Sequence, residues 1–273
     1  MIEFTKLHGN GNDFIIIDEY SSLIIPDNGK SAFAEKYCDR RFGIGADGVI
    51  FLSGSASADI RMRLFQPDRS EAEMCGNGIR CLVKYALDTG YIAPGTAIVE
   101  TMAGNLPVEV KCQDNKVLVK VNMGKSLFNR KDIPMTGEGE FINETIENMQ
   151  VSVVNTGVPH AVIFVDDLES VDLDRLAPPI RYNALFPKGT NVNFVNFSPD
   201  GILWVRTYER GIEAETLSCG TGSVAAAVVA HRLGLTGNEV IVNTLGGILN
   251  ITIENSFAFM EGPAVTVFTG NIP

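Results

Sequence analysis

An internal repeat is the feature that most narrows what this chain can fold into. Residues 71–90 read EAEMCGNGIRCLVKYALDTG and residues 216–235 read TLSCGTGSVAAAVVAHRLGL. Cys75-Gly76-Asn77-Gly78 stands against Cys219-Gly220-Thr221-Gly222, and each runs into a helical pattern that reaches a glycine, Gly90 or Gly234, fifteen residues after its cysteine. The match continues on both sides. VETMAGNLPVEV (99–110) parallels VNTLGGILNITI (242–253), GADGVIFL (45–52) falls against GTNVNFVN (189–196), and KLHGNGNDFIIID (6–18) matches VNTGVPHAVIFVD (154–166). Four blocks keep one order at an offset near 144 residues, which chance does not readily produce. Two homologous domains are therefore expected, one for each half of the chain. Their expected bounds are 1–116 with 263–273 for the domain carrying Cys75, and 117–262 for the domain carrying Cys219. The polar stretch RKDIPMTGEGEFINETIENMQ (130–150) reads as the connecting region.

Each half repeats one coarse plan. FIIID, GVIFL, IRMRLF, AIVET and KVLVKV are β-branched runs bounded by Gly, Asn and Asp, the pattern of strands separated by turns. After the first cysteine, Ile79, Leu82, Val83, Ala86 and Leu87 recur at helical spacing; after the second, residues 224–229 are apolar throughout. A helix apolar on most sides has to be buried. The expected fold class is thus α+β, with two pseudo-symmetric domains, each a mostly antiparallel sheet wrapped around a central helix.

Composition excludes several functions. A net charge of −11 argues against a nucleic-acid or anionic-membrane partner, since neither attracts an acidic surface. The longest purely apolar stretch near the end, VAAAVVA at 224–230, is far too short to span a bilayer. MIEFTKLHGN puts acidic and polar residues where a signal peptide needs an apolar core. Five cysteines is an odd number, there is no Cys-x-x-Cys, and only three histidines are present, so neither a disulfide framework nor zinc-ligand spacing is available. A reducing cytoplasm is the expected compartment.

The chemistry lies in the repeated cysteine. A thiol just before a helix sits beside unpaired backbone N–H groups and the positive end of the dipole, which favour thiolate over thiol. One such cysteine alone reads most simply as a structural residue beside a tight turn. Two copies in homologous domains read differently. Abstracting a proton from one face of a carbon and returning one to the other inverts the stereocentre, whereas a single base tends to return the proton where it was taken. Two opposed thiols, one ionised and one protonated, are the minimum apparatus for this. The amides of Gly76-Asn77 and Gly220-Thr221 suit a substrate carboxylate and the charge that builds on it. In VRTYERGIEAE, Glu209-Arg210 precedes Cys219 by ten residues, and a guanidinium there suits a second carboxylate. FGIGADGV (42–49) carries Gly-x-Gly-x-x-Gly but leads into a strand, so it reads as a turn and not a dinucleotide fingerprint. Cys38, Cys81 and Cys112 are expected to be buried thiols, and His8 and His231 are assigned nothing.

HGNGNDF, MCGNGIRC, GVPHAV, NVNFV and YERGIEAETLSCGTGS together resemble the diaminopimelate epimerase family over essentially the whole chain. HGNGNDF separates this group from proline-racemase-like relatives of the same fold. The resemblance implies a cofactor-independent isomerase that interconverts LL- and meso-2,6-diaminopimelate for lysine and peptidoglycan-precursor synthesis, commonly as a homodimer. It implies Cys75 and Cys219 as the acid/base thiols, and His160 and Glu209 as residues that adjust them. Asn12, Gln66, Asn191, Glu209 and Arg210 are implied as substrate contacts, with the backbone at Gly76, Asn77, Gly220 and Thr221. Three positions depart from the family pattern: Val158 and Gln66 stand where asparagine is usual, and Gly48 where some members have glutamine. One extra residue also separates Glu209 from Cys219 compared with some members. These departures bear on substrate contacts and leave the two thiols untouched. The competing expectations are a same-fold racemase of another amino acid, of proline or glutamate type, and a thiol redox or ligand-binding protein. Arg210 as a clamp for a distal carboxylate favours a dicarboxylate substrate.

Overall fold

A computed structural model describes residues 1–113 and 116–273. The chain divides into two compact units, Met1–Val121 with Glu261–Pro273, and Asn122–Met260. In the first, β1 (Ile2–Gly9) and β2 (Asn12–Glu19) form an antiparallel hairpin. Helix α1 (Asp27–Cys38) leads to β3 (Gly48–Ser53), which runs parallel to β2. β4 (Ile60–Phe65) returns antiparallel, and the short β5 (Glu71–Ala72) delivers the chain to Cys75 and α2 (Gly76–Asp88). β6 (Gly95–Thr101) then lies parallel to β4, and β7 (Gly104–Gln113) and β8 (Lys116–Lys125) fold back in turn.

The second unit repeats that order. β9 (Glu144–Ile146) flanks β10 (Met149–Asn155), which pairs with β11 (Pro159–Phe164). Helix α3 (Leu173–Arg181) leads to β12 (Asn191–Phe197), parallel to β11, and β13 (Leu203–Glu209) returns antiparallel. β14 (Ala214–Thr216) delivers the chain to Cys219 and α4 (Gly220–Arg232). β15 (Glu239–Thr244) lies parallel to β13, followed by β16 (Gly247–Glu254) and β17 (Phe257–Pro263). The last strand, β18 (Val265–Ile272), belongs to the first unit and pairs with β1.

Continuous apolar strands such as FIIID follow from burial on both faces of the sheet. Ile15, Ile17, Val49 and Phe51 face the α1 side with Phe33 and Ala34, while Phe14 and Ile50 lie beneath α2 at Gly78. In the second unit, Val153, Ile163 and Phe194 pack with Leu173, Ala177 and Ile180 of α3. The central helix covers the other face: residues 222–230 of α4 are buried without exception. Ser223 is tolerated there because its hydroxyl donates to the carbonyl of Cys219 at 3.0 Å. Both central helices stop at a left-handed glycine, Gly90 (φ +80°) and Gly234 (φ +75°), a conformation that only glycine adopts without strain.

Two expectations fail. Residues 130–150 are no connector: Ile133, Met135, Phe141 and Ile146 are buried in the second unit's core. Arg130 pins the excursion by stacking on Phe141 and pairing with Glu144 at 3.0 Å. Its polar residues simply outnumber the few apolar anchors that place it. Cys112 is exposed, not buried. It shares the inward register of Val108 and Val110, but lies where β7 has run past the core.

Candidate active site

Cys75 caps α2 from an extended conformation (φ −144°, ψ 116°), and its sulfur accepts the Gly78 N–H at 3.4 Å. The thiol also lies 3.8 Å from Asn12 Oδ1. Asn12 follows the β1–β2 turn, where Asn10 (φ +53°) and Gly11 (φ +82°) take the two left-handed conformations a tight hairpin requires. Its amide is held at both ends: Nδ2 donates to Asp47 Oδ2 at 2.6 Å, and Oδ1 accepts from Asn77 Nδ2 at 3.2 Å. Asp47 in turn accepts from Arg40 at 2.7 Å, and Arg40 and Lys6 both pair with Asp13. Burial pushes the Asp13 carboxyl up, but hydrogen bonds from Arg40 and Lys6 outweigh it and hold it down to about 2. Asn77 Oδ1 is buried without a partner among the described residues. One turn further along α2, Arg80 is fully buried and donates to Asn10 Oδ1 at 2.9 Å, tying the hairpin turn to the helix that carries the thiol. Desolvation pulls its guanidinium down to about 10, which leaves it cationic at neutral pH.

Cys219 takes the N-cap position of α4 in a similar extended conformation (φ −110°, ψ 111°), with no cap bond from its sulfur to the helix, and is buried. Its surroundings differ in kind. The sulfur lies 3.4 Å from Thr221 Oγ1, and that hydroxyl lies 2.9 Å from His160 Nε2. His160 Nδ1 meets Asn193 Nδ2 at 3.1 Å, and Asn193 also donates to the Ala161 carbonyl at 3.0 Å. Thr207 donates to Asn193 Oδ1 at 3.0 Å. His160, Asn193 and Thr207 are all buried. Burial drives the His160 imidazole down to about 3, so it is neutral across the working range. Any influence it has on the thiol runs through hydrogen bonds and not through a histidine charge.

The other sequence-derived candidates fall into two groups. Asn191 is buried and joins the Arg210 turn to β11: Oδ1 accepts the Arg210 N–H at 2.8 Å, and Nδ2 donates to the Pro159 carbonyl at 3.0 Å. Glu209 ends β13, half-buried, and the Arg210 guanidinium leans on the carbonyls of Lys188 and Gly189 at 3.3 and 3.4 Å. The turn that follows is locked by Glu213, which takes a two-point contact from Arg181 (2.7 and 3.2 Å) and the Gly211 N–H at 2.9 Å. Gly220 and Thr221 open α4 as Gly76 and Asn77 open α2, so their first N–H groups have no partner within the helix. Gln66 stands apart, exposed in a turn where it bonds Ser70. Val158 is half-buried in the β10–β11 turn, and Gly48 begins β3.

The sequence profile of the diaminopimelate epimerase family matches residues 4–128 and 152–267. The chain is 59% identical over 272 residues to the diaminopimelate epimerase of Methanocella arvoryzae, covering 99% of this chain and 96% of that protein. It is 56% identical over 269 residues to that of Methanothrix thermoacetophila, covering 98% and 95%. The chain belongs to the diaminopimelate epimerase family. Its fold is shared more widely. A PhzF-family phenazine biosynthesis protein of Bacillus anthracis matches with a TM-score of 0.73 at 17% identity, over 100% of this chain and 99% of that one. A hydroxyproline epimerase from Agrobacterium vitis matches with a TM-score of 0.70 at 16% identity, over 99% and 90%. At these identities the likeness is one of fold.

Within this diaminopimelate epimerase-type architecture, several residues around the thiols escaped sequence reasoning. Asp47 sits in a run that looked like a turn, and Arg80 looks like an ordinary helix cation. Asn193 and Thr207 look like polar positions on half-exposed strands. One signal was available: Asn193 and Thr207 are polar residues that share a strand face with the apolar Val195 and with Leu203 and Val205.

Proposed function

We propose that the chain is a cofactor-independent epimerase that interconverts LL- and meso-2,6-diaminopimelate, with Cys75 and Cys219 as the two proton carriers. What carries this is the duplication of one local build: in each unit a cysteine caps a buried helix at its positive end, beside amides with no helical partner. Membership of the diaminopimelate epimerase family supports the substrate. One thiolate removes the α-proton, and the other thiol delivers a proton to the opposite face. Substrate and product are at the same oxidation level, so the chemistry calls for no electron acceptor. The carboxylate on which charge develops goes to the helix-start amides of Gly76, Asn77, Gly220 and Thr221. Asn77 Oδ1, buried and without a partner among the described residues, offers an acceptor for a substrate N–H. Asn12 joins it on the Cys75 side, while Asn191, Glu209 and Arg210 serve recognition of the distal end on the Cys219 side.

A place in lysine synthesis follows from the substrate. Five free cysteines suit a reducing cytoplasm. Strand β18 exposes Val265, Val267 and Phe268, which supports a homodimer. The test is incorporation of deuterium at the α-carbon from heavy water without added cofactor. Wild-type protein incorporates label and epimerises; Cys75→Ala and Cys219→Ala each lose epimerisation by at least three orders of magnitude. Substantial turnover in either variant would refute the two-thiol assignment.

A further inference from the structure

The two thiol sites share a backbone plan but rest on opposite chemistry. In the first unit Phe14 pairs with Gly48 across parallel strands, and two residues on, Ile50 pairs with Leu64. In the second, His160 pairs with Asn191, and two residues on, Asn193 pairs with Thr207. His160, Asn193 and Thr207 therefore occupy the places of Phe14, Ile50 and Leu64. The strand register sets the first two pairs two residues and one residue away from the sequence match, which puts His160 against Asn12 and Asn193 against Val49. The helix starts agree. A Cβ placed on Gly78 would meet Ile50 and Phe14, at 3.4 and 3.6 Å; on Gly222 it would meet Asn193 Oδ1 and Thr207 Oγ1, at 2.5 and 3.1 Å. An apolar floor lies under one thiol helix and a buried polar chain under the other.

That chain has a fixed direction. Ala161 offers Asn193 a carbonyl, which only accepts, so the Asn193 nitrogen must face it. The same nitrogen then points at His160 Nδ1, which must present its lone pair. A neutral imidazole in this place carries its proton on Nε2 and gives it to Thr221 Oγ1. The Thr221 hydroxyl, with its oxygen already accepting, is left to donate toward Cys219 Sγ. We propose that Asn193 is a positioning residue for the epimerisation: by fixing His160 as the Nε2–H tautomer it makes Thr221 a hydroxyl donor to the Cys219 sulfur. A hydrogen bond donated to sulfur favours the thiolate. In the other tautomer, Nε2 would draw the Thr221 proton to itself and turn an oxygen lone pair toward the sulfur, which favours the protonated thiol. In the first unit the side chain facing the thiol is Asn12, oriented by Asp47, with no histidine or hydroxyl in the matching places, so control of the two thiols is unlike even though their backbones match.

The titratable and charged side chains on the strands packed against α4 are few. They are His160 on β11, Arg206, Tyr208 and Glu209 on β13, Glu239 on β15 and Glu254 on β16. Arg206 is tied to Glu215 at 2.7 Å, and Glu239 and Glu254 are exposed. Arg210, just beyond β13, acts on His160 in the direction that keeps it neutral. Glu209, which ends β13, is half-buried and is the remaining carboxylate on these strands.

The inference rests on Cys219 being a proton carrier, and its test avoids turnover so that the two can fail separately. Nitrogen-15 NMR of the full chain, with only three histidines to resolve, reads the His160 tautomer. Iodoacetamide labelling across pH, with the Cys75 and Cys219 peptides quantified by mass spectrometry, reads each thiol in the same molecule. We expect Nε2–H in the wild type. Thr221→Val should move the Cys219 alkylation midpoint up by about one pH unit and leave the Cys75 profile in place. Thr221→Ser, which keeps the hydroxyl, should restore it. Asn193→Asp, whose carboxylate accepts from Nδ1–H, should shift the proton to Nδ1 and give the same upward move. An Nδ1–H tautomer in the wild type, or a Cys219 profile in Thr221→Val superimposed on the wild type, would overturn the assignment. If Asn193→Asp does not fold, the Thr221 pair decides. Turnover that survives loss of the Cys219 thiol, with these profiles intact, would instead strike the two-thiol reading.

Discussion

Asn12 donates its amide nitrogen to Asp47 Oδ2 at 2.6 Å, and that bond decides which end of the amide faces Cys75. With Asp47 as a pure acceptor, Asn12 must present Oδ1 to the thiol and to Asn77 Nδ2. Asp47→Asn removes the compulsion, because a neutral amide pairs with Asn12 in either orientation. A hydrogen bond to a charged partner contributes about 1.5–3 kcal/mol, so kcat/KM should fall roughly 10- to 100-fold. Steady-state kinetics of Asp47→Asn beside wild type checks this; an unchanged kcat/KM would show that the orientation of Asn12 is set elsewhere.

Acid should destabilise this protein earlier than its carboxylates alone require. Burial holds His160 at about 3 in the folded state, against about 6.5 in an unfolded chain. Between those values the unfolded state binds a proton that the folded state refuses, so stability rises with pH across the window. It is fully present above about 6.5 and is lost as pH falls toward 3, by up to about 1.4 kcal/mol per unit. Asp13, held at about 2, contributes stability that is present above its ordinary carboxylate value and goes only when pH falls below that. Urea unfolding at stepped pH values should show the slope, and His160→Asn should flatten it between pH 6.5 and 5. Equal stability at pH 7 and pH 5 in the wild type would contradict a buried neutral imidazole.

What the sequence made legible, and what it hid, divides along contact distance. The repeat, the two cysteine caps and the glycines that end α2 and α4 are local patterns, and they read directly. So did the strands FIIID and GVIFL, whose unbroken apolar runs announce burial on both faces. The support beneath Cys219 is different: His160, Asn193 and Thr207 come from three strands, and nothing in linear spacing links them. Helix α3 was hidden because Pro178 and Pro179 lie within it, where each proline removes a helical donor. The polar excursion 130–150 misled for a related reason, since four anchors scattered among charged and glycine residues carry no period.

The buried pair of Lys30 and Glu19 should dominate the stability of the first unit's outer layer. Their side chains are 1% and 4% exposed. Glu19 also accepts the Ile25 N–H, and Lys30 also donates to the Ile25 carbonyl, both at 2.8 Å. The ammonium lies 4.1 Å above the Phe51 ring. Removing one partner strands a charge in a dry site, a loss of about 3–5 kcal/mol. Lys30→Met should therefore lower the denaturation midpoint sharply. Lys30→Met with Glu19→Gln should recover much of that loss, because no charge is left uncompensated. A double variant no better than the single one would mean that packing of the lysine stem, not the ion pair, holds this layer.

Gly78 and Gly222 occupy the same place in the two repeats, yet alanine should affect them in opposite ways. At Gly78 a methyl group would find its nearest neighbours at 3.4, 3.5 and 3.6 Å, ordinary packing distances. Glycine inside a helix costs about 0.5–1 kcal/mol relative to alanine, so Gly78→Ala should be neutral to stabilising by that amount. At Gly222 the methyl would sit 2.5 Å from Asn193 Oδ1 and 3.1 Å from Thr207 Oγ1. Neither atom has room to retreat, because Asn193 is pinned by the Ala161 carbonyl and His160. Something must move: either the start of α4 lifts, or the Asn193 amide turns and releases His160. Overpacking of this kind costs about 1–3 kcal/mol, and the same displacement acts on the helix turn that holds Cys219. Gly222→Ala should thus lose stability and at least tenfold in kcat/KM, with its Cys219 labelling profile shifted and its Cys75 profile intact. Thermal unfolding, kinetics and thiol labelling of both alanine variants decide it; two variants behaving alike would mean that the polar floor under α4 yields as freely as the apolar floor under α2.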